Sequence, residues 1–287
     1  MDNNKIKSYC KINLTLRVLK KLKSGYHNII SLVTFADLHD IITISRTRNL
    51  SDEIKFSGQF YKGINKKKNT ITKALDLLRS ANLLKNQAFK INIRKNIPHG
   101  SGLGGGSSNA ANLLNYFNSK FKLKLNKRKI KKIAIQIGSD VPINLEKKNA
   151  FLTGKGNKIF RINKKFKLNL LIVYPNLVCS TKKIFEKNKK ISLLKPLSKF
   201  NIKSNKKLIN FLKNESNDLE TTVTKIYPKV QKTINYIKSQ KGCYFSRITG
   251  SGSACIGIFS KKEHAIYVKK LIKLKYPKYW CVVSKTI

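Results

Sequence analysis

The stretch Pro98-His-Gly-Ser-Gly-Leu-Gly-Gly-Gly-Ser-Ser-Asn-Ala110 constrains this chain more than any other, because five of its thirteen residues are glycine. Upstream, Ala88 to Ile97 alternates apolar and polar residues (Phe89, Ile91 and Ile93 against Lys90, Asn92 and Arg94), the period of a strand. Downstream, two serines lead into Ala110, Leu113, Leu114 and Phe117, which fall at i, i+3, i+4 and i+7 on one face of a helix. Strand, glycine loop and helix start together aim backbone N–H groups and the positive end of a helix dipole at one spot. Such a spot suits a phosphate.

Two familiar phosphate loops do not fit. Gly100, Gly102 and Gly105 match the spacing of a dinucleotide fingerprint, which needs an acidic residue about 20 positions further on to hold a ribose. No Asp or Glu occurs between Asp76 and Asp140. A Walker loop needs lysine after its glycines, and none occurs from 96 to 119. A flexible linker is the bland alternative, but linkers do not ordinarily join a strand to a capped helix.

The rest of the chain reads as alternating elements. Ile6 to Leu19 alternates as a half-exposed strand, with Cys10, Ile12, Leu14, Leu16 and Val18 on one face and Tyr9, Lys11, Asn13, Thr15 and Arg17 on the other. Gly25-Tyr26-His27 is a turn, followed by a strand pair, Ile29 to Phe35 and Ile41 to Ser45. Leu50 to Lys68 is irregular and basic, and Asn69 is a good N-cap for a helix that follows it. Lys120 to Lys132 reads as a solvated connection and helix face. Asp140 stands on a turn, with Pro142 stopping the helix before it. A polar basic link over 160–167 marks a domain boundary. Beyond it come a strand (168–174), helices near 181–187, 206–213 and 218–239, strands at 243–249 and 254–259, a helix over 262–275 and a strand at 279–284. This alternation suits an α+β sandwich.

With 61 basic and 13 acidic residues the formal charge is +48. Only eight of the basic residues are arginine, and the lysines are spread over the whole chain. Specific nucleic-acid recognition favours clustered basic residues with arginine for bidentate contacts. The charge therefore reads as a composition bias that attracts polyanions and favours phosphorylated substrates. Five scattered cysteines, with no C-x-x-C spacing, fit reduced thiols in a cytoplasm, and four histidines form no ligand cluster. Neither a signal peptide nor an apolar run of about 18 residues is present, so no membrane association is expected.

Pro98-x-Gly100-x-Gly102-Leu103-Gly104-x-x-Ser107-Ser108-x-Ala110 resembles the phosphate-loop signature of the GHMP family of small-molecule kinases. Lys11-Ile-Asn13-Leu matches the first family motif, here preceded by Tyr9-Cys10 where Pro-Ala is usual. Gly138-Ser-Asp140-Val-Pro142 matches its aspartate motif, with Ser139 in place of the usual Ala, and Thr249-Gly-Ser-Gly-Ser253 matches its third. Gly25-Tyr26-His27, preceded by Ser24 where Asp is common, resembles the hallmark of the branch acting on a cytidine-diphosphate-linked methylerythritol.

The resemblance implies an α+β, two-domain fold. Its N-terminal β/α nucleotide-binding domain would cover 1–162 and its C-terminal ferredoxin-like α/β sandwich 163–287. It implies an ATP- and Mg²⁺-dependent kinase. The ATP phosphates would rest on Pro98, Gly100, Gly102, Leu103, Gly104, Gly105 and Gly106, with Ser107 or Ser108 touching Mg²⁺ or a phosphate oxygen. Asp140 would accept the acceptor's proton, while Lys11 stabilises the attacking oxygen and the transferring phosphoryl group. Asn69 would lie near the nucleotide, unless it is only a cap. Asn13 would contact substrate, Tyr26 stack on cytosine, His27 bind the base edge and Thr181 line the same pocket. Phe185 would stack opposite Tyr26, unless it belongs to the core of its helix. Gly250, Ser251 and Gly252 would form a second glycine turn near the phosphates, or simply a hairpin turn. The expected partner is a small molecule, with no specific nucleic acid and no membrane, for a monomer or homodimer. The rival readings are a kinase of homoserine, mevalonate or a sugar, and a basic nucleic-acid-binding protein.

Overall fold

The computed structural model describes residues 4–193 and 204–287. Its first elements are β1 (Asn4–Asn13), β2 (Arg17–Lys21), β3 (His27–Thr47), β4 (Glu53–Ser57), α1 (Thr70–Ser80), β5 (Ala88–Arg94), α2 (Gly105–Lys120) and α3 (Lys127–Ile137). A 3-10 turn over Pro142–Leu145 leads to β6 (Ala150–Gly154), β7 (Lys158–Arg161) and β8 (Asn169–Tyr174). Then follow α4 (Thr181–Lys187), α5 (Asn205–Lys213), α6 (Glu220–Ile226), α7 (Pro228–Lys238), β9 (Cys243–Ile248), β10 (Cys255–Phe259), α8 (Lys262–Lys275) and β11 (Trp280–Lys285).

These elements pack as two compact units interleaved along the chain. The first takes Met1–Lys11, Leu38–His99 and Gly104–Lys147; the second takes Ile12–Asp37, Gly100–Leu103 and Lys148–Ile287. In the first unit, β4 runs parallel to β5, and β5 runs antiparallel to the second half of β3, pairing Ile93 with Ile42 and Ile91 with Ile44. Helix α2 turns Ala110, Leu113, Leu114 and Phe117 inward, all fully buried as their spacing predicts. Phe117 meets Phe89 edge to face with ring centroids 4.8 Å apart, and Phe121 closes the cluster at 5.2 Å from Phe89.

In the second unit, β2 and β6 pair antiparallel with the first half of β3, and β7 pairs with β6. A separate antiparallel sheet has the order β11-β8-β10-β9. Strand β8, the helices after it, β9, β10, α8 and β11 make a β-α-β-β-α-β unit, the ferredoxin-like arrangement. Val230, Ile234 and Ile237 of α7 and Val268 and Ile272 of α8 join its core with Leu171, Val173 and Phe259.

Several elements differ from expectation. The single strand read over Ile6 to Leu19 breaks between β1 and β2, where the N–H groups of Leu14 and Thr15 both donate to the Leu32 carbonyl. Its polar face is not half-exposed: Lys11, Asn13 and Thr15 are all buried. The strand pair after His27 is one 21-residue strand, β3. Asp40 lies in the middle of this strand, its buried carboxylate accepting hydrogen bonds from the N–H groups of Asn96 and Ile97. The segment read as irregular over 50–68 contains β4, and β6 and β7 lie where no strand was assigned. Serines 107 and 108 stand inside the first turn of α2, not before it. Helix α3 already ends at Gly138, so Pro142 opens the 3-10 turn and does not stop the helix. The helix expected over 218–239 is two, split where Pro228 takes the first position of α7.

Candidate active site

In the first unit the chemistry gathers at the start of α2. The Lys11 ammonium lies 3.2 Å from the Asp140 carboxylate. Lys11 is only 4% exposed. A buried ammonium needs an opposite charge, and Asp140 supplies it from a side chain 46% open to solvent. Asp140 is presented by a firm turn: the Val141 N–H donates to the Gly138 carbonyl at 3.1 Å, and Asn144 Nδ2 donates to the Asp140 carbonyl at 2.6 Å.

The lysine stem rests on Gly104. A Cβ built there would meet Lys11 Cγ at 2.8 Å, and the residue has φ +69, so both space and backbone conformation demand glycine. Gly104 is also the N-cap of α2, without a side-chain cap. The first helical bond runs from the Ser108 N–H to the Gly104 carbonyl, which leaves the N–H groups of residues 105–107 for a ligand. Those donors, with the helix dipole behind them and a lysine beside them, fit a phosphate.

The two serines separate here. Ser108 is buried; its Oγ donates to the Tyr9 carbonyl at 2.7 Å and accepts from Ser8 Oγ at 2.9 Å, tying α2 to β1. Ser107 is half-buried. Asn69 caps α1 with its side-chain oxygen, accepting from the N–H groups of Ile71 and Thr72 at 2.8 and 3.1 Å. The residue that reaches the glycine loop is its neighbour, Thr70, whose Oγ1 donates to the Gly106 carbonyl at 2.8 Å. Pro98, just before the loop, is buried.

A second set of predicted residues meets in the second unit. The Asn13 N–H donates to Thr249 Oγ1 at 2.8 Å, and Asn13 Nδ2 donates to Ser31 Oγ at 2.7 Å. Gly102 lies against the third glycine motif. A Cβ built on Gly102 would come 2.1 Å from the Thr249 carbonyl oxygen and 3.1 Å from the Gly252 nitrogen. Gly250 and Gly252 have φ of +57 and +75 in the connection between β9 and β10, so this segment is indeed a hairpin turn. Ser251 Oγ shares a 2.9 Å hydrogen bond with Thr181 Oγ1 at the start of α4. One turn later on that helix, the Phe185 ring meets His27, centroids 5.3 Å apart and planes 33° apart. Phe185 also packs, partly buried, against the core of this unit. Leu103 is fully buried.

Tyr26 projects from the β2–β3 hairpin and is 57% exposed, with Lys155 Nζ 5.0 Å from its ring centroid. Partial burial, helped by the charge of Lys21, lowers the His27 pKa. The shift favours the neutral imidazole, which has one donor and one acceptor nitrogen.

Sequence reasoning missed Ser8, Thr70, Ser31 and Lys155. The available signal was weak: Ser8 and Ser31 are small polar residues on strands that are otherwise buried. Among the described residues no cluster of three or more His, Cys, Asp or Glu side chains stands ready to hold a metal, and no helix is long and apolar enough to cross a membrane.

The chain matches the model of the GHMP kinases N terminal domain over residues 69–147 and that of the GHMP kinases C terminal over 193–276. A 4-diphosphocytidyl-2-C-methyl-D-erythritol kinase from Pelagibacter ubique is 41% identical over the full length of both chains. A kinase of the same name from Caldanaerobacter subterraneus is 34% identical, covering 99% of this chain and 96% of its own. Among solved structures, a 4-(cytidine 5'-diphospho)-2C-methyl-D-erythritol kinase superposes with TM-score 0.76 at 22% identity, over 98% of this chain and 99% of its own. A homoserine kinase from Cytophaga hutchinsonii follows with TM-score 0.72 at 15% identity, over 100% and 95%, respectively. At such identities the superpositions speak for the fold alone.

Proposed function

This chain belongs to the GHMP kinase family, and from that premise we propose that it phosphorylates the 2-hydroxyl of 4-diphosphocytidyl-2-C-methyl-D-erythritol. It is a phosphotransferase of isoprenoid precursor synthesis. The observation that carries the reading is the Lys11–Asp140 pair, 3.2 Å apart, with the lysine stem laid over the glycine that opens an uncapped helix.

ATP supplies the γ-phosphoryl group. The N–H groups of residues 105–107 and the dipole of α2 hold the phosphates in place, so most of the acceleration comes from positioning and electrostatics. Asp140 takes the proton from the acceptor 2-hydroxyl, and Lys11 balances negative charge on the attacking oxygen and on the phosphoryl group in transit. Ser107 suits contact with Mg²⁺ or a phosphate oxygen better than Ser108, whose hydroxyl is already engaged with Tyr9 and Ser8. Magnesium would keep mostly phosphate and water ligands, as it does where carboxylates are few. Asn13 and Thr181 orient the acceptor, Tyr26 and Phe185 offer aromatic faces to cytosine, and His27 reads its edge. In this reading Gly250, Ser251 and Gly252 form a second glycine turn near the phosphates, and Asn69 lies near the nucleotide.

We assign residues 1–162 to the ATP-binding domain and 163–287 to the C-terminal domain; the family matches at 69–147 and 193–276 fall on either side of that boundary, although by compact packing residues 12–37, 100–103 and 148–162 group with the second unit. A cytoplasmic location and a monomer or homodimer complete the proposal. The five cysteines, all free thiols, favour a reducing compartment. The test is direct. Purified protein with ATP, Mg²⁺ and the cytidylated acceptor should yield a new phosphomonoester resonance on the acceptor by ³¹P NMR. Phosphorylation of homoserine, mevalonate or a sugar in its place would reassign the substrate, and no transfer to any of them would end the reading.

A further inference from the structure

Beneath the glycine loop lies a buried carboxylate that the reaction does not use. Asp40, on β3, has no solvent exposure. Its Oδ1 accepts from the N–H groups of Asn96 and Ile97 at 2.7 and 2.9 Å. Its Oδ2 accepts from Asn109 Nδ2 at 3.0 Å and pairs with the Lys95 ammonium. Lys95 and Asn109 are themselves buried.

The placement of these donors is the point. Asn96 and Ile97 are the last residues before Pro98, where the loop begins, and Asn109 lies in the second turn of the helix into which it runs. One carboxylate thus holds both ends of an eleven-residue segment, 98–108. Lys95 adds a third tie from below: a Cβ built on Gly105 would come 3.3 Å from its Nζ and 2.9 Å from the Ile97 side chain. The orientation of Asn109 is fixed, since a carboxylate can only accept and must face the amide nitrogen. The Asn109 Oδ1 is left buried with no hydrogen-bond partner among the described residues, so the fold tolerates an unsatisfied acceptor to keep this contact.

We propose that Asp40 is a positioning residue that sets the shape of the phosphate loop before nucleotide binds, acting on ATP only through that loop. The inference rests on the reading of the loop as an ATP phosphate site. Preorganised donors bind without an ordering cost at the moment of binding, so loosening the clasp should fall on nucleotide affinity and spare the acceptor. Asp40→Asn keeps the shape but turns an amide donor toward the existing donors of Lys95 and Asn109. Asn109→Ala releases only the helix end and leaves the buried ion pair intact.

The experiment measures binding of a non-hydrolysable ATP analogue by calorimetry, with steady-state KM values for ATP and for the acceptor, on the full chain. The wild type is measured first: if it binds no analogue, the phosphate-loop reading falls, independently of the clasp. If it binds, Asp40→Asn should weaken the analogue about tenfold and Asn109→Ala about threefold to tenfold. The KM for ATP should rise in parallel, and kcat and the acceptor KM should stay within twofold. Where Asp40→Asn does not fold, Asn109→Ala decides. Analogue affinity unchanged in Asn109→Ala, or equal losses for both substrates together with a lowered melting temperature, would overturn the proposal in favour of a purely structural ion pair.

Discussion

Asp140 and Lys11 carry the sharpest prediction at the scale of single residues. Asp140→Asn keeps the turn, whose bonds run through the backbone carbonyl of residue 140 and not its carboxylate. It should therefore lower kcat about 10²–10⁴-fold, the usual contribution of a general base, with the affinity for an ATP analogue nearly unchanged. Turnover surviving in that variant would remove Asp140 from the chemistry. Residue types at these positions were readable from the chain itself. A lone aspartate in a long stretch without acids stands out, and so do a strand lysine and a glycine run. What could not be read was commitment of atoms. Nothing in the string distinguishes Ser107 from Ser108; only the bonds from Ser8 and to Tyr9 do so. Asp40 was equally silent, because a carboxylate inside a strand looks like a turn until its four donors are known.

Secondary-structure elements show the same division between periodicity and pairing. Helices α2 and α8 follow their apolar spacing, and the four strands of the second sheet begin and end within a few residues of expectation. Strands β4, β6 and β7 escaped because they are short segments of four or five residues whose stability comes from partners: β5 for β4, β3 for β6 and β6 for β7. Helix α1 offers a test of local chemistry. Asn69 and Thr72 form a reciprocal capping box, and Ile71, Ala74, Leu75 and Leu78 are buried behind it. Asn69→Ala should lower stability by about 1 kcal/mol, read from the midpoint of urea unfolding. The same variant separates the two roles considered for Asn69. A cap alone predicts unchanged affinity for an ATP analogue once the protein is folded, whereas a contact with nucleotide predicts a loss.

For the molecule as a whole, the surplus of 48 positive charges is the most visible property of the chain and the least informative about its chemistry. Binding to DNA or RNA should be measurable at low salt, show no sequence preference, and weaken steeply and uniformly as salt rises. A sequence preference that persists at physiological salt would contradict this. Chain order has a consequence of another kind. The first compact unit has all its residues by Lys147, whereas the second draws on segments near both ends. The N–H of Val18, in β2, donates to Asp218, 200 residues further on. A ribosome working at about 5–20 residues per second needs roughly 10–40 s to cover that interval. Throughout it Leu16 and Val18, destined for a core, hang from the nascent chain without their partners. Strand β2, among the first made, is thus among the last to be sheltered, and in the cell it is the kind of segment a chaperone would be called upon to guard.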